Sequence, residues 1–176
     1  MGLEAEATRL RRQRRSWFSC HNRVLYGQVY TLAIAAAAYG LANSGGLLAF
    51  MSAALFGRIA HELVNYIQHY GLVRLDDQPV EERHTWDCRR LISNALQYNL
   101  PRHADHHLHA DRRFWNLTSR PAAPMLPYGY QTMAVLALVP ALWRRSMRPL
   151  LLEWDEKKAS PSERQAISER GWDKLC

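Results

Sequence analysis

The feature that most constrains this chain is an uncharged stretch of 19 residues, "VLYGQVYTLAIAAAAYGLA", from Val24 to Ala42. An α-helix rises 1.5 Å per residue, so such a helix is about 28 Å long and matches the hydrocarbon layer of a bilayer. We therefore expect a membrane-spanning helix. A helix buried in the core of a soluble protein is the alternative interpretation, because the stretch is rich in alanine and only moderately apolar.

A second apolar segment follows a turn signal, "NSGG", at residues 43–46. It predicts a helix over residues 47–70 that begins with ten apolar residues and then carries Arg58, His61 and Glu62. A helix of this length extends about 36 Å, more than the bilayer core. Its end should therefore emerge on the side where the chain entered. The fold class that we expect is all-α, an integral membrane helical bundle with two membrane-spanning helices.

Arginines are concentrated before the first apolar stretch, and they contribute to a net charge of +7. They are Arg9, Arg11, Arg12, Arg14, Arg15 and Arg23. Because basic residues beside membrane helices stay in the cytoplasm, the sequence predicts a multi-pass protein of the inner (plasma) membrane with its histidines on the cytoplasmic side. No recognition motif with interleaved aromatic residues favours nucleic acid as a partner. The three cysteines are far apart and no CxxC occurs, so neither a disulfide framework nor a cysteine-ligated zinc or rubredoxin site is supported.

The pattern indicates one partial domain over residues 1–176. Its parts are a basic amphipathic helix at 1–23, a membrane helix pair at 24–71, a histidine-motif region at 72–150 and a polar tail at 151–176. Within the third part we expect a helix from about Trp86 to Tyr98 and an irregular, proline-rich loop at 119–130. The tail has a capped helix start at "SPSER".

Four histidines lie within seven residues in "HADHHLH", residues 103–109. On a helix, His103, His106 and His107 are three and four residues apart and lean to one side, whereas His109 points away. Three imidazoles without a thiolate suit Fe, Zn, Cu or Ni. Asp105 lies off that face and is better placed for a supporting contact or a salt bridge. A surface run of histidines without metal is the other interpretation.

Closing a metal site requires a ligand from another helix, and His69 is the best candidate. His61 is eight residues earlier, about 12 Å along the helix axis, so one metal cannot bind both. His61 begins an H-E-x-x-H pattern, but Asn65 stands at the position of the second histidine, so the zinc-protease motif is absent. We expect His61 to be packed or hydrogen-bonded. His84 and His21 are expected to contact solvent or lipid headgroups.

Four segments carry a resemblance to a known family. They are "NYIQHYGLVR" at 65–74, "NLPRHADHH" at 99–107, "PMLPYGY" at 124–130 and "ALVPALW" at 137–143. They resemble the carboxyl-terminal part of the membrane di-iron hydroxylases, a fatty-acid-desaturase-like family of alkane monooxygenases and xylene monooxygenase hydroxylase components. The resemblance covers nearly the whole chain.

The resemblance implies a helical membrane bundle that holds two Fe ions among histidines at its cytoplasmic end. Such an enzyme uses O2 to hydroxylate the terminal methyl group of an apolar hydrocarbon, an alkane or an alkylaromatic side chain, and it receives electrons from rubredoxin or a ferredoxin-type reductase. The implied metal ligands are His69, His103, His106 and His107, with no catalytic residue beyond them. Residues that would support these ligands are Asp105, Gln68, Glu62 and Asn65.

Two further histidine motifs of the family, HExxHK and EHxxGHH, are expected upstream of residue 1. Gln68 also stands where alkane-type members usually carry Glu. Two hypotheses therefore stay open. The chain is a hydroxylase component that is catalytic only with the missing half, or it is a non-catalytic membrane remnant that binds a metal.

Overall fold

The computed structural model describes residues 2–76 and 78–171. Helices joined by turns and loops make up this part of the chain, and no β-strand occurs in it. The expected all-α fold is therefore confirmed for this part of the chain. The helices are α1 (Gly2–Arg12), α2 (Arg23–His69), α3 (Leu91–Leu96), α4 (His103–Leu108), α5 (Tyr130–Ala137), α6 (Pro140–Lys157) and α7 (Pro161–Glu169). Single 3₁₀ turns lie at Glu82–His84 and Phe114–Asn116. The chain forms two compact units, residues 1–59 and 60–176, and each is described separately.

In the first unit, hydrogen bonds fasten α1 to the start of α2. The side-chain oxygen of Asn22 accepts the amides of Val24 and Leu25 at 2.9 and 3.3 Å, so Asn22 caps α2. The carboxylate of Glu6 accepts the amide of Arg23 at 2.7 Å. Glu6 thus also neutralises the positive end of the α2 dipole, which stabilises the helix start.

Helix α2 is interrupted at the turn that the sequence predicts. Ala42 and Asn43 have non-helical backbone angles, and φ of Asn43 is 50°. A Cβ atom on Gly46 would lie 2.1 Å from the carbonyl oxygen of Ala38. Residues eight apart on a straight helix are about 12 Å apart along its axis, so this approach requires the chain to reverse direction. The two helical segments on either side of the break therefore form a hairpin.

Helix α2 is long and apolar enough to cross a membrane, judged by length and composition. It is the one such helix among the described residues, and none of the residues in its most apolar window is buried within the protein. Large apolar side chains such as Leu41, Tyr30 and Phe56 are 89%, 71% and 74% exposed. Such a surface is costly in water, because apolar area favours burial by about 25 cal/mol per Å².

Gly46→Ala should destabilise the hairpin, because the new methyl group would collide with the Ala38 carbonyl. Overpacking of this kind costs about 1–3 kcal/mol, which we expect as a lower midpoint of thermal unfolding in detergent. The matched control is Gly45→Ala, where a Cβ meets no atom within 4 Å. Equal midpoints for the two variants would contradict the close approach at Gly46.

The second unit has a core of aromatic and aliphatic side chains from α2, α5, α6 and the segments between them. Its fully buried members include Ile67 at the end of α2, Tyr130 and Met133 on α5, and Trp143 and Met147 on α6. Pro140 is the first residue of α6. Proline has no amide N–H, and this costs nothing there because the first amides of a helix have no partner within it. This core fixes the end of α2 against α5 and α6.

Residues 84–88, which we call the strap, begin at the end of the 3₁₀ turn and lie outside any α-helix, so the prediction of a helix from Trp86 to Tyr98 is wrong at its start. Only α3 is helical there. The amide of Trp86 donates to the carbonyl of Gln68, and its indole Nε1 donates to the carbonyl of Tyr70, both at 2.8 Å. These carbonyls lie at the end of α2 and have no partner within the helix. The strap is held extended because it satisfies them.

The opposite edge of the strap is also hydrogen-bonded. The Asp87 amide donates to Pro124 and the Asp87 carbonyl accepts from Leu126, at 2.8 and 2.9 Å. Their neighbour Met125 forms an isolated bridge with Asp87. The predicted proline-rich loop is thus ordered by the strap while remaining irregular, with no helix between residues 117 and 129.

The tail begins α7 with the predicted capping box, in which Ser160 and Glu163 each bind the other's backbone amide. Glu163 is fully buried, and its carboxylate lies 2.9 Å from Nε2 of His84. The expectation that His84 contacts solvent or headgroups is therefore wrong, since His84 is buried against α7. The partner is 79 residues away, which no local pattern could indicate.

The attachment of α7 should weaken in acid. Burial raises the pKa of Glu163, but the Ser160 amide and His84 lower it more, so the folded pKa is below the ordinary value. A carboxyl of this kind contributes stability above its unfolded pKa, and that stability is lost as the pH falls. We expect the thermal midpoint to drop as the pH falls from about 5 through and below the ordinary pKa of 4.5, and Glu163→Gln to reduce this dependence. An unchanged pH profile in Glu163→Gln, or the same change in the exposed-site control Glu169→Gln, would contradict the assignment.

Candidate metal centre

Three histidines converge within the second unit, one from α2 and two from α4. The Nε2 atom of His103 lies 3.2 Å from Nε2 of His69 and 2.9 Å from Nε2 of His107. One ring nitrogen from each of the three lies within 4.8 Å of the others. We call these residues the histidine triad. The structure thus brings together three of the four ligands that the sequence predicts.

The spacing of the triad fits a single bound transition-metal ion. Ligands about 2.0–2.1 Å from one ion, at octahedral or tetrahedral angles, have nitrogens about 2.9–3.4 Å apart. The two distances between Nε2 atoms fall in this range. Three imidazoles without carboxylate or thiolate are a donor set for Fe, Zn, Cu or Ni rather than for Mg or Ca. The residues present therefore fit a metal of that class.

The two α4 members of the triad are held as neutral imidazoles. Burial, followed by the neighbouring rings of His107, His69 and His106, lowers the pKa of His103 to about 2. Burial, followed by the nearby His69, His106 and Arg74, lowers the pKa of His107 to about 4. Metal ligation requires an unprotonated ring nitrogen, so both histidines are in the ligating form at neutral pH.

A pocket of about 250 Å³ opens beside the triad. It is lined by His61, Val64, Asn65, Gln68, His69, Leu100, His103, His106 and His107. His106 lies next to the triad, with its ring stacked on His103 at a centroid distance of 5.7 Å, but its nitrogens are not part of the converging group. His61 is exposed on the pocket wall. Both can reach the pocket, and ligation by His106 stays a prediction.

The strap positions the end of α2 that carries His69. Its residue Trp86 donates its amide to the Gln68 carbonyl and its indole to the Tyr70 carbonyl. Burial lowers the pKa of His69, while the nearby backbone of His84 raises it. The strap therefore helps to set the position of this ligand.

The strap also holds α4, through Asp87. Its carboxylate Oδ1 accepts the amide of Ala104 at 2.8 Å, while the N-cap residue Arg102 provides no side-chain cap. The Cys88 amide donates to the carbonyl of Pro101 at 2.8 Å. Asp87 thus caps α4 from a segment 17 residues earlier, and desolvation raises its pKa to about 6. Sequence reasoning missed Asp87, because an external cap leaves no local signal.

Asp105 is buried in a cluster of donors on the far side of α4 from the triad. Its oxygens accept the Thr118 amide and Arg112 at 2.8 Å, Arg120 Nε at 2.8 Å, and His109 at 3.0 Å. Burial raises the pKa of Asp105, but the Thr118 amide and the two guanidinium groups lower it well below its usual range. Asp105 therefore forms the salt bridges that its position suggested. His109 points away from the triad, as predicted, and its ring binds Asp105.

The other supporting residues lie at different distances from the triad. Gln68 is buried and lines the pocket, and Asn65 is exposed on the pocket wall. Glu62 is exposed and does not line the pocket. A supporting role toward a metal stays a prediction for these three residues and for Asp105.

Asp87→Ala should weaken metal binding, because the buried Ala104 amide loses its acceptor and α4 is freed at its start. Loss of such an outer contact typically reduces metal affinity 10–100-fold. Asp87→Asn keeps an oxygen acceptor and should bind nearly as well as the unmodified chain. The measurement is the Zn²⁺ dissociation constant by chelator competition, with Asp111→Ala, in the turn after α4, as an exposed control. Equal affinities for Asp87→Ala and Asp111→Ala would contradict the role of the cap.

Comparison with known proteins places these elements in a wider group. The family model described as fatty acid desaturase matches residues 2–146. That range includes α1 to α5, the histidine triad, His106 and the strap.

Three relatives are similar over most of this chain. Alkane 1-monooxygenase 2 of Alcanivorax borkumensis is 39% identical over 146 residues, 80% of this chain and 38% of the relative. Alkane 1-monooxygenase of Acinetobacter baylyi is 31% identical, over 86% of this chain and 38% of its own length. The xylene/toluene monooxygenase hydroxylase component of Pseudomonas putida is 30% identical, over 99% of this chain and 48% of its own length. The chain thus spans less than half the length of these curated relatives.

Proposed function

Because this chain belongs to the fatty acid desaturase family and is related to the membrane alkane and xylene monooxygenases, we propose that it is part of a non-haem di-iron monooxygenase. The proposed reaction is hydroxylation, with O2, of an unactivated terminal methyl group in an apolar hydrocarbon. We propose that the chain corresponds to the carboxyl-terminal part of such an enzyme. The remaining metal ligands would then come from protein that precedes residue 1.

The single observation that carries the proposal is the histidine triad. His69, His103 and His107 offer nitrogens at ligand spacing, and all three lie in the segments that resemble the family. Hydroxylation of an unactivated C–H bond needs a redox-active metal, because no protein side chain supplies that chemistry. His106, stacked on His103, is the proposed fourth ligand.

Iron in this position would supply the activation of O2, and the protein residues prepare for it. The strap holds the end of α2, and with it His69, through its bonds to the Gln68 and Tyr70 carbonyls. The Asp87 cap and the Asp105 salt bridges fix α4 from both sides, which limits rotation of His103 and His107. Preorganised ligands of this kind favour one geometry of the bound ion.

The proposed substrate is an alkane or an alkylaromatic side chain, as the names of the relatives suggest. The exposed apolar surface of α2 supports a location in the inner membrane, where such substrates dissolve. We propose two spans, one on each side of the break at Ala42 and Asn43, with the histidines on the cytoplasmic side. The proposed electron donor is rubredoxin or a ferredoxin-type reductase.

The second candidate is a non-catalytic membrane protein that binds one metal ion. The triad favours it in one respect, because its three nitrogens already suit a single ion without any ligand from outside the chain. The number of metal ions bound and the dependence of oxygen uptake on hydrocarbon separate the two candidates.

The deciding experiment measures iron and zinc per chain, and hydrocarbon-dependent oxygen uptake, in membranes that contain the chain together with the amino-terminal part of a related monooxygenase. We expect about two irons per complex and uptake that requires both parts. His103→Ala should abolish metal binding by this chain, while the control His109→Ala should retain it, because His109 faces Asp105.

One metal ion per complex and no oxygen uptake would favour the second candidate. Equal metal loss in His103→Ala and His109→Ala would contradict the triad itself.

A further inference from the structure

The end of α1, the connection to α2 and the first residue of α2, residues 9–23, carry an excess of positive charge. We call this segment the basic turn. Between residues 4 and 23 the chain has six arginines and two glutamates. One of the two, Glu6, is buried and is already bound by Arg9 at 2.6 Å and by the amide of Arg23. The negative charge of Glu6 is therefore balanced by groups within the first unit.

The basic turn is a built structure rather than a loose run of charges. Arg9 also donates to the His21 carbonyl at 2.6 Å, and Asn22 Nδ2 donates to the Trp17 carbonyl at 2.7 Å. Leu10 and Asn22 are buried, at 1% and 0% exposure. These contacts direct one face of α1 onto the turn and leave Arg11, Arg12 and Arg14 exposed on its outer side.

The basic turn also carries an exposed aromatic side chain. Phe18 is 85% exposed, and it lies five residues before the first residue of α2. Exposure of a large aromatic side chain to water is costly, because apolar area favours burial. Exposed aromatic residues beside arginines at the start of a membrane helix are typical of the interface between headgroups and acyl chains.

We propose that the basic turn binds the anionic phospholipid headgroups of the bilayer surface, with the exposed arginines on the phosphates and Phe18 among the upper acyl chains. Charge favours this partner, because each basic residue at an anionic leaflet adds about 1 kcal/mol, roughly fivefold in partitioning. Continuity favours it too, because Arg23 begins the apolar helix α2 and holds the turn at the height of the headgroups. The inference rests on the membrane insertion of α2 proposed above.

The test compares two lipids with identical acyl chains, phosphatidylglycerol and phosphatidylcholine, bound to the full chain in detergent and counted by native mass spectrometry. The unmodified chain should retain phosphatidylglycerol in clear preference. Combined Arg11→Gln, Arg12→Gln and Arg14→Gln should reduce that preference about tenfold or more. The corresponding Lys replacements keep the positive charge and should retain most of the preference for phosphatidylglycerol. Phe18→Ser should lower retention of both lipids.

The matched control removes three exposed positive charges from the second unit, by Arg113→Gln, Lys157→Gln and Arg164→Gln. It should leave the preference for phosphatidylglycerol unchanged. An equal loss in the control and the test variants would overturn the proposal, as would the absence of any preference in the unmodified chain. Binding of a DNA duplex or a polyglutamate peptide with the same arginine dependence, without a lipid preference, would also overturn it.

Flotation with vesicles of phosphatidylcholine alone separates this inference from its premise. A chain that floats with them but shows no preference for phosphatidylglycerol supports insertion and overturns only the lipid proposal. A chain that does not float with them overturns the insertion of α2 as well.

Discussion

The hydrogen bonds of the strap are the interaction on which the candidate site depends. The strap binds the end of α2 through Trp86 and the start of α4 through Asp87 and Cys88. His69 belongs to the first of these elements, and His103 and His107 to the second. This segment of five residues therefore connects ligands that are 34 residues apart in sequence. Its own conformation is stabilised by the backbone hydrogen bonds of Trp86, Asp87 and Cys88.

The histidine triad combines local and distant constraints. Within α4, helical spacing alone puts His103 and His107 on one face, and capping by Asp87 and the salt bridges of Asp105 hold that face in place. The position of His69 depends on long-range contacts of the second unit, namely the packing of Ile67 in the core and the hydrogen bonds of the strap. The tight spacing of the nitrogens is thus a property of the fold and not of one motif.

Much of this organisation could be predicted from the sequence. The features that could not be predicted share one cause. Apolar composition, turn residues and helical spacing indicated the apolar helix, its break near Asn43, the convergence of His103 and His107, and the orientation of His109. These features depend on neighbours within a few residues. The buried pair of His84 with Glu163, the external cap by Asp87 and the extended start at Trp86 depend on partners 16 to 79 residues away. The helix expected from Trp86 onward does not begin there, because Trp86 instead donates to the carbonyls of Gln68 and Tyr70 at the end of α2.

The way in which α2 ends has a consequence for the depth at which a metal site can lie. An apolar helix normally leaves its last carbonyl groups to water, and an unsatisfied carbonyl in hydrocarbon costs several kcal/mol. Here the carbonyls of Gln68, His69 and Tyr70 are bound by Trp86 and Leu72, so none of the three needs solvent. If α2 is inserted in the membrane as proposed above, these bonds would allow the helix to end below the hydrated layer, in a medium of low dielectric constant.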